Sequence, residues 1–140
     1  MNDHRLAKQL LTDEGLRLKP YRCTAGKLTI GVGRNLDDRG ITEDEALVLL
    51  QNDINAFWGQ LVVALPWVMS APEPVQEALL NMCFNLGLGG LLTFKQTLAL
   101  IQAGNYVEAA AAMLESKWAG QVGARAERLA AMVRGCAQEG

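Results

Sequence analysis

Glu14, Cys23 and Thr29 are the residues of this chain whose types and spacing could do chemistry. Glu14 closes an amphipathic helix, and Cys23 and Thr29 follow on short, glycine-punctuated strands within residues 14–33. An acid, a thiol and a hydroxyl arranged in this way can converge on one cleft, which suits acid-assisted bond cleavage. A helix end presents the negative pole of its macrodipole, so a carboxylate there is favoured in its protonated form unless a cation pairs with it. A general acid working near neutrality needs that form. From position alone, the same glutamate is more readily one merely tolerated at an exposed helix end, and Thr29 ordinarily just a strand threonine.

Other chemistries lack their residues. His4 is the sole histidine, and it sits in the first turn of a terminal helix, where a histidine is ordinarily just solvated. A Cys–His nucleophilic pair with Cys23 would also need a third, orienting group. Clustered zinc ligands are missing. Gly31-x-Gly33 lacks the third glycine and the following helix of a phosphate-binding fingerprint and reads as a tight turn. No metal or cofactor is expected.

The elements that must position these residues are legible in outline. Asn2 or Asp3 can cap a first helix with Leu6, Leu10 and Leu11 on one face, ending near Glu14 with Gly15 as its C-cap. Short β pieces follow to about Asn35, among them residues 28–30 and Val32, with turns offered by Thr24-Ala25-Gly26 and the two later glycines. Thr42 and Glu45 form a capping box that starts a long connecting helix running toward Pro66. Residues 75–86 are apolar on most sides, like the central helix of a bundle, and Gly87, Gly89 and Gly90 should end it. Thr93 with Gln96 and Asn105 with Glu108 look like further helix starts, and residues 109–114 and 124–133 are helical in composition.

The chain has 140 residues, half of them apolar, enough for one globular domain with a sizeable core. Cys23, Cys83 and Cys136 are scattered singly, so no disulfide framework is expected and folding in a reducing cytoplasm is. No secretory signal is evident at the charged start, and the apolar run of residues 61–69 is too short to span a bilayer and is broken by Pro66. The net charge of −2 conceals an asymmetry: residues 1–39 carry eight Lys/Arg against five Asp/Glu, residues 40–116 one against eight, and residues 117–140 four against two. No basic stripe with interleaved aromatics appears, so nucleic acid is not an expected partner. No exposed apolar seam is evident either, and a monomer is expected.

The spacing Glu14-x8-Cys23-x5-Thr29 resembles the E-x8-[D/C]-x5-T signature of the phage-type lysozymes and endolysins, glycoside hydrolase family 24. The flanking residues 13–21 and 29–33, the blocks at 40–46 and 81–85, and Lys117-Trp118 through Arg125-Ala126 are similar to successive family blocks, so the likeness covers nearly the whole chain. The resemblance implies an α+β, mostly helical, lysozyme-like fold over residues 1–140 as a single domain. Its first lobe, with a small β-hairpin, would be about residues 12–60; a long helix would lead to a helical second lobe of about residues 61–140 plus the N-terminal helix. It implies a muramidase that cleaves the β-1,4 bond between N-acetylmuramic acid and N-acetylglucosamine of peptidoglycan in host cell lysis. Glu14 would be the general acid, with Cys23 and Thr29 positioning or activating water. Phe84, Thr97 and Arg125 would contact substrate, Arg125 also standing where the family keeps an arginine facing the acid. Release from the host cytoplasm would depend on a separate membrane-permeabilising protein.

Cys23 stands where many members have aspartate, and Arg34 where a histidine is frequent. A thiol with an ordinary pKa near ~8.5 is mostly protonated at neutral pH, and nearby cations such as Arg22 or Lys27 could lower that value. A thiolate could then serve as base or nucleophile, which leaves inverting and retaining outcomes both open. A glycan-binding module that lost its chemistry at Cys23, or a bacterial effector of the same fold, would carry the same signature.

Overall fold

The computed structural model describes residues 1–138. It contains two compact units, Met1–Leu50 and Gln51–Gly140, each built from local logic visible in its sequence. Helices dominate and the sheet is small, which is the α+β class expected.

In the first unit, α1 (Asp3–Glu14) starts at Asn2, whose side chain accepts the Arg5 amide at 2.9 Å. It stops at Gly15, which takes the left-handed backbone (φ 76°) and returns its amide to the Leu11 carbonyl. Glu14 is therefore the last helical residue. Three strands follow, β1 (Arg17–Arg22), β2 (Leu28–Gly31) and β3 (Arg34–Asn35), antiparallel and in that spatial order. Tyr21 lies opposite Thr29 and Arg22 opposite Leu28, and the register slips between Arg17 and Tyr21. Pro20, with no amide to donate, falls within that slip. Val32, expected in a strand, instead occupies the β2–β3 turn, because both flanking glycines adopt positive φ and reverse the chain there.

α2 (Glu43–Ala64) opens on the capping box read from the sequence: the Glu45 amide donates to Thr42 Oγ1 at 3.1 Å, and the Thr42 amide donates to Glu45 Oε1 at 2.8 Å. Its 22 residues carry the chain out of the first unit and into the second. It ends before Pro66, where a 3-10 turn (Pro66–Ser70) begins.

The second unit holds α3 (Glu73–Leu92), α4 (Lys95–Gln102), α5 (Tyr106–Glu115), α6 (Lys117–Val122), α7 (Ala124–Gly135) and a 3-10 turn (Cys136–Gln138). Its core gathers Leu61, Val68, Val75, Leu79, Met82, Leu91, Met113 and Val133, all fully buried. Each such side chain contributes roughly 1.5–3 kcal/mol relative to exposure. α3 supplies six buried residues, Val75, Ala78, Leu79, Met82, Cys83 and Leu91, in keeping with its apolar composition. Gly87 does end its first helical stretch (φ 72°, ψ 164°), as expected, whereas Gly89 and Gly90 lie in a second stretch that follows the kink and runs to Leu92. Thr93 does not cap α4, since its backbone is itself helical (φ −73°, ψ −17°) whereas an N-cap needs an extended residue. Its hydroxyl donates to the Gly90 carbonyl at 2.6 Å and finishes α3 instead. Asn105 occupies the N-cap position of α5 without a side-chain capping bond.

Candidate active site

Glu14 is exposed at the C-terminus of α1, and its side chain lies over the β2–β3 turn. A β-carbon built on Gly33 would stand 2.9 Å from Glu14 Oε2 and 3.1 Å from Cδ, so the carboxyl rests against bare backbone. Gly33 itself adopts φ 69°.

Cys23 and Thr29 are brought together by the β1–β2 hairpin. The Gly26 amide donates to the Cys23 carbonyl at 2.8 Å and the Cys23 amide to the Lys27 carbonyl at 2.9 Å, with Gly26 at φ 80°. This is a tight turn followed by a left-handed glycine, the geometry of a short bulged hairpin. The backbone amides of Lys27 and Ala25 belong to this turn. Those amides, Lys27 first, and then the Thr29 hydroxyl hold the thiol below its ordinary pKa, outweighing the opposing effect of partial burial. Thr29 is the one buried residue of Met1–Leu50, and its hydroxyl donates to the Lys27 carbonyl at 2.8 Å. A hydroxyl carries a single proton, so this group must choose between that carbonyl and an ionised sulfur.

The expected cations do not tune the thiol. Arg22 donates to the Gly26 carbonyl at 3.1 Å and lies 3.9 Å from Asp37, while Lys27 Nζ bonds Asp38 at 3.1 Å. Asp37 in turn accepts the Leu28 amide at 2.7 Å, and Asp38 is tied to Asn35 through both its amide and its carboxylate. These carboxylates take up the positive charge and brace the hairpin. Arg34 likewise makes a bidentate pair with Glu45, at 2.9 and 2.6 Å, and also donates to the Gly40 carbonyl. The paired guanidinium, aided by the Thr42 amide, lowers the Glu45 carboxyl to about 2.

The other three expected site residues belong to the second unit. Phe84 on α3 is partly exposed, its ring 5.1 Å from that of Phe57. Thr97 on α4 is 5% exposed and lines two adjoining pockets of about 340 and 570 Å³. Arg125 on α7 donates through Nε to Asn81 Oδ1 at 2.8 Å and through Nη2 to the Asn81 carbonyl at 3.1 Å. One turn further along α3, Asn85 accepts the Trp118 indole N–H at 2.7 Å. Asn81 and Asn85 did not figure among the candidates. Their signal was two amides four residues apart, hence on one face, in an otherwise apolar helix. Gly33 was read only as a turn former.

Comparisons with known proteins agree with this picture. The phage lysozyme family model matches residues 12–139. The chain is similar to a probable T4-type lysozyme 1 of Dictyostelium discoideum, at 27% identity over 86% of this chain and 88% of that protein. It is also similar to an endolysin of Acyrthosiphon pisum secondary endosymbiont phage 1, at 32% identity over 75% of this chain and 70% of that one. A third likeness, 29% identical over 91% of this chain, is to the pre-baseplate central spike protein Gp5 of Enterobacteria phage T4. The matched region spans only 27% of that spike protein's length.

Proposed function

We propose that this chain, which belongs to the phage lysozyme family of glycoside hydrolases, is an endolysin that cleaves the β-1,4 bond between N-acetylmuramic acid and N-acetylglucosamine in peptidoglycan. The observation that carries this reading is that, in a chain matched by the phage lysozyme family over residues 12–139, one small unit holds an acid at a helix end and Cys23 and Thr29 on a single hairpin.

In this mechanism the Glu14 carboxyl gives its proton to the leaving glycosidic oxygen as the carbon–oxygen bond breaks. A water on the opposite face of the sugar bonds the anomeric carbon and yields a proton to the Cys23 thiolate. Thr29 orients that water through its lone pairs. Its proton, now held by the Lys27 carbonyl, can turn to the sulfur while that carries charge. Phe84, Thr97 and Arg125 contact the saccharide from the helical unit. The enzyme folds in the host cytoplasm, acts as a monomer, and reaches the wall after a separate protein permeabilises the membrane. Among the described residues no single helix is long and apolar enough to cross a bilayer.

The test is clearing of purified peptidoglycan by the parent chain and by Glu14→Gln. Loss of about 100- to 10,000-fold in turnover, with wall binding retained, is the result expected of a missing general acid. Undiminished turnover by Glu14→Gln would sink the assignment, and an inert parent that still binds the wall would mark a glycan-binding module instead.

A further inference from the structure

We infer that Gly33 is a positioning residue for the acid: its missing side chain leaves the space in which the Glu14 carboxyl is held. This rests on the reading of Glu14 as the general acid. Two glycines in nearly the same left-handed conformation flank Val32, Gly31 at the end of β2 (φ 71°) and Gly33 in the β2–β3 turn (φ 69°). Turn formation alone would ask the same of both. Their surroundings differ. A β-carbon on Gly31 would meet nothing within 4 Å, whereas one on Gly33 would meet Glu14 Oε2 at 2.9 Å, Cδ at 3.1 Å and Cγ at 3.3 Å.

Three consecutive atoms of one side chain thus lie along the bare face of Gly33. No cation ion-pairs with Glu14 among the described residues of its own unit, so contact with this backbone is what limits where the carboxyl can go. The end of a glutamate side chain is flexible, and a new methyl group would push it aside more readily than it would push the turn. Displacing a reacting group by about 1 Å is enough to cost on the order of 100-fold in rate. The effect should fall on turnover and leave binding alone, because Gly33 is assigned no contact with the polymer.

The two glycines supply their own control. Gly31→Ala and Gly33→Ala carry the same backbone strain, but only the second meets Glu14. Their melting temperatures should fall by similar amounts, while kcat on purified peptidoglycan falls on the order of 100-fold further in Gly33→Ala with KM unchanged. Equal kcat in the two variants, or a loss confined to KM, would overturn the positioning role. Should alanine unfold the chain, Gly31→Asn and Gly33→Asn repeat the comparison, since asparagine tolerates the left-handed region. Glu14→Gln is assayed alongside. If it stays active, the acid assignment itself has failed; if it is inert and the two glycine variants match, only the inference about Gly33 has.

Discussion

Cys23 owes its character to its neighbours' backbones. The amides of Lys27 and Ala25 favour a negative sulfur whatever side chains those positions carry, so the lowering of its pKa depends on turn geometry. Cys83, by contrast, is buried in the helical core, and burial alone raises its thiol to about 11. Limited iodoacetamide treatment near neutral pH is therefore expected to label Cys23 well before Cys83, with loss of wall clearing in step; mass spectrometry that finds Cys83 modified first would contradict this. Cys23→Asp should keep activity and move its rise to lower pH, because a carboxylate ionises well below a thiol. Cys23→Ser should lose it, and a fully active Cys23→Ala would remove the residue from the mechanism. The sequence already marked Glu14, Cys23 and Thr29 by type and spacing. It also suggested Arg22 and Lys27 as the groups that tune the thiol, and there it misled. Backbone donors have no letter in the sequence, and Asp37 and Asp38, which draw those cations away, are distant from Cys23 along the chain but close in the hairpin.

At the next scale, the start of α2 concentrates several roles in Glu45, which closes the capping box and also receives both arms of Arg34. Its carboxyl titrates at about 2, below the ordinary carboxylate value of 4.5, so ionisation favours the folded state. That contribution is complete above the unfolded value and is lost as pH falls through about 2. Melting temperatures of the parent and of Glu45→Gln should therefore differ most above about pH 5 and converge toward pH 2. A gap that is constant with pH would disprove the linkage. Thr42→Ala, which removes the cap and one of the smaller contributions to the lowered Glu45 pKa, should cost about 1 kcal/mol with a weaker pH dependence than Glu45→Gln. The capping box was legible because its residues are neighbours in sequence and satisfy each other's amides. The same holds for Gly15 after α1. Strand β1 was harder to bound, since Pro20 and the register slip beside it interrupt the alternation that identifies strands. Gly87 shows the opposite difficulty: a glycine signals a break, yet only packing decides whether a helix resumes beyond it.

Across the whole molecule, burial and chemistry are apportioned unequally. Every buried apolar side chain among the described residues lies beyond Leu50, whereas Met1–Leu50 buries only Thr29. A fragment of residues 51–140 is expected to fold by itself with a cooperative thermal transition, and residues 1–50 are expected to remain unstructured alone, having too little apolar area to offset chain entropy. Circular dichroism of the two fragments decides the matter, and a cooperative transition in the shorter one would refute it. The core was foreseeable from the apolar composition of α3, and the placement of all three proposed reacting groups in the small β-bearing part from their spacing; that this part buries almost nothing was not, because that depends on which elements pack most deeply. The division has an evolutionary consequence. Substitutions that weaken the fold will accumulate or be purged mainly over residues 51–138, while the first fifty residues drift under constraints of turn geometry and reactivity. Homologous chains could then exchange their hairpins by recombination near α2 without having to re-evolve a core.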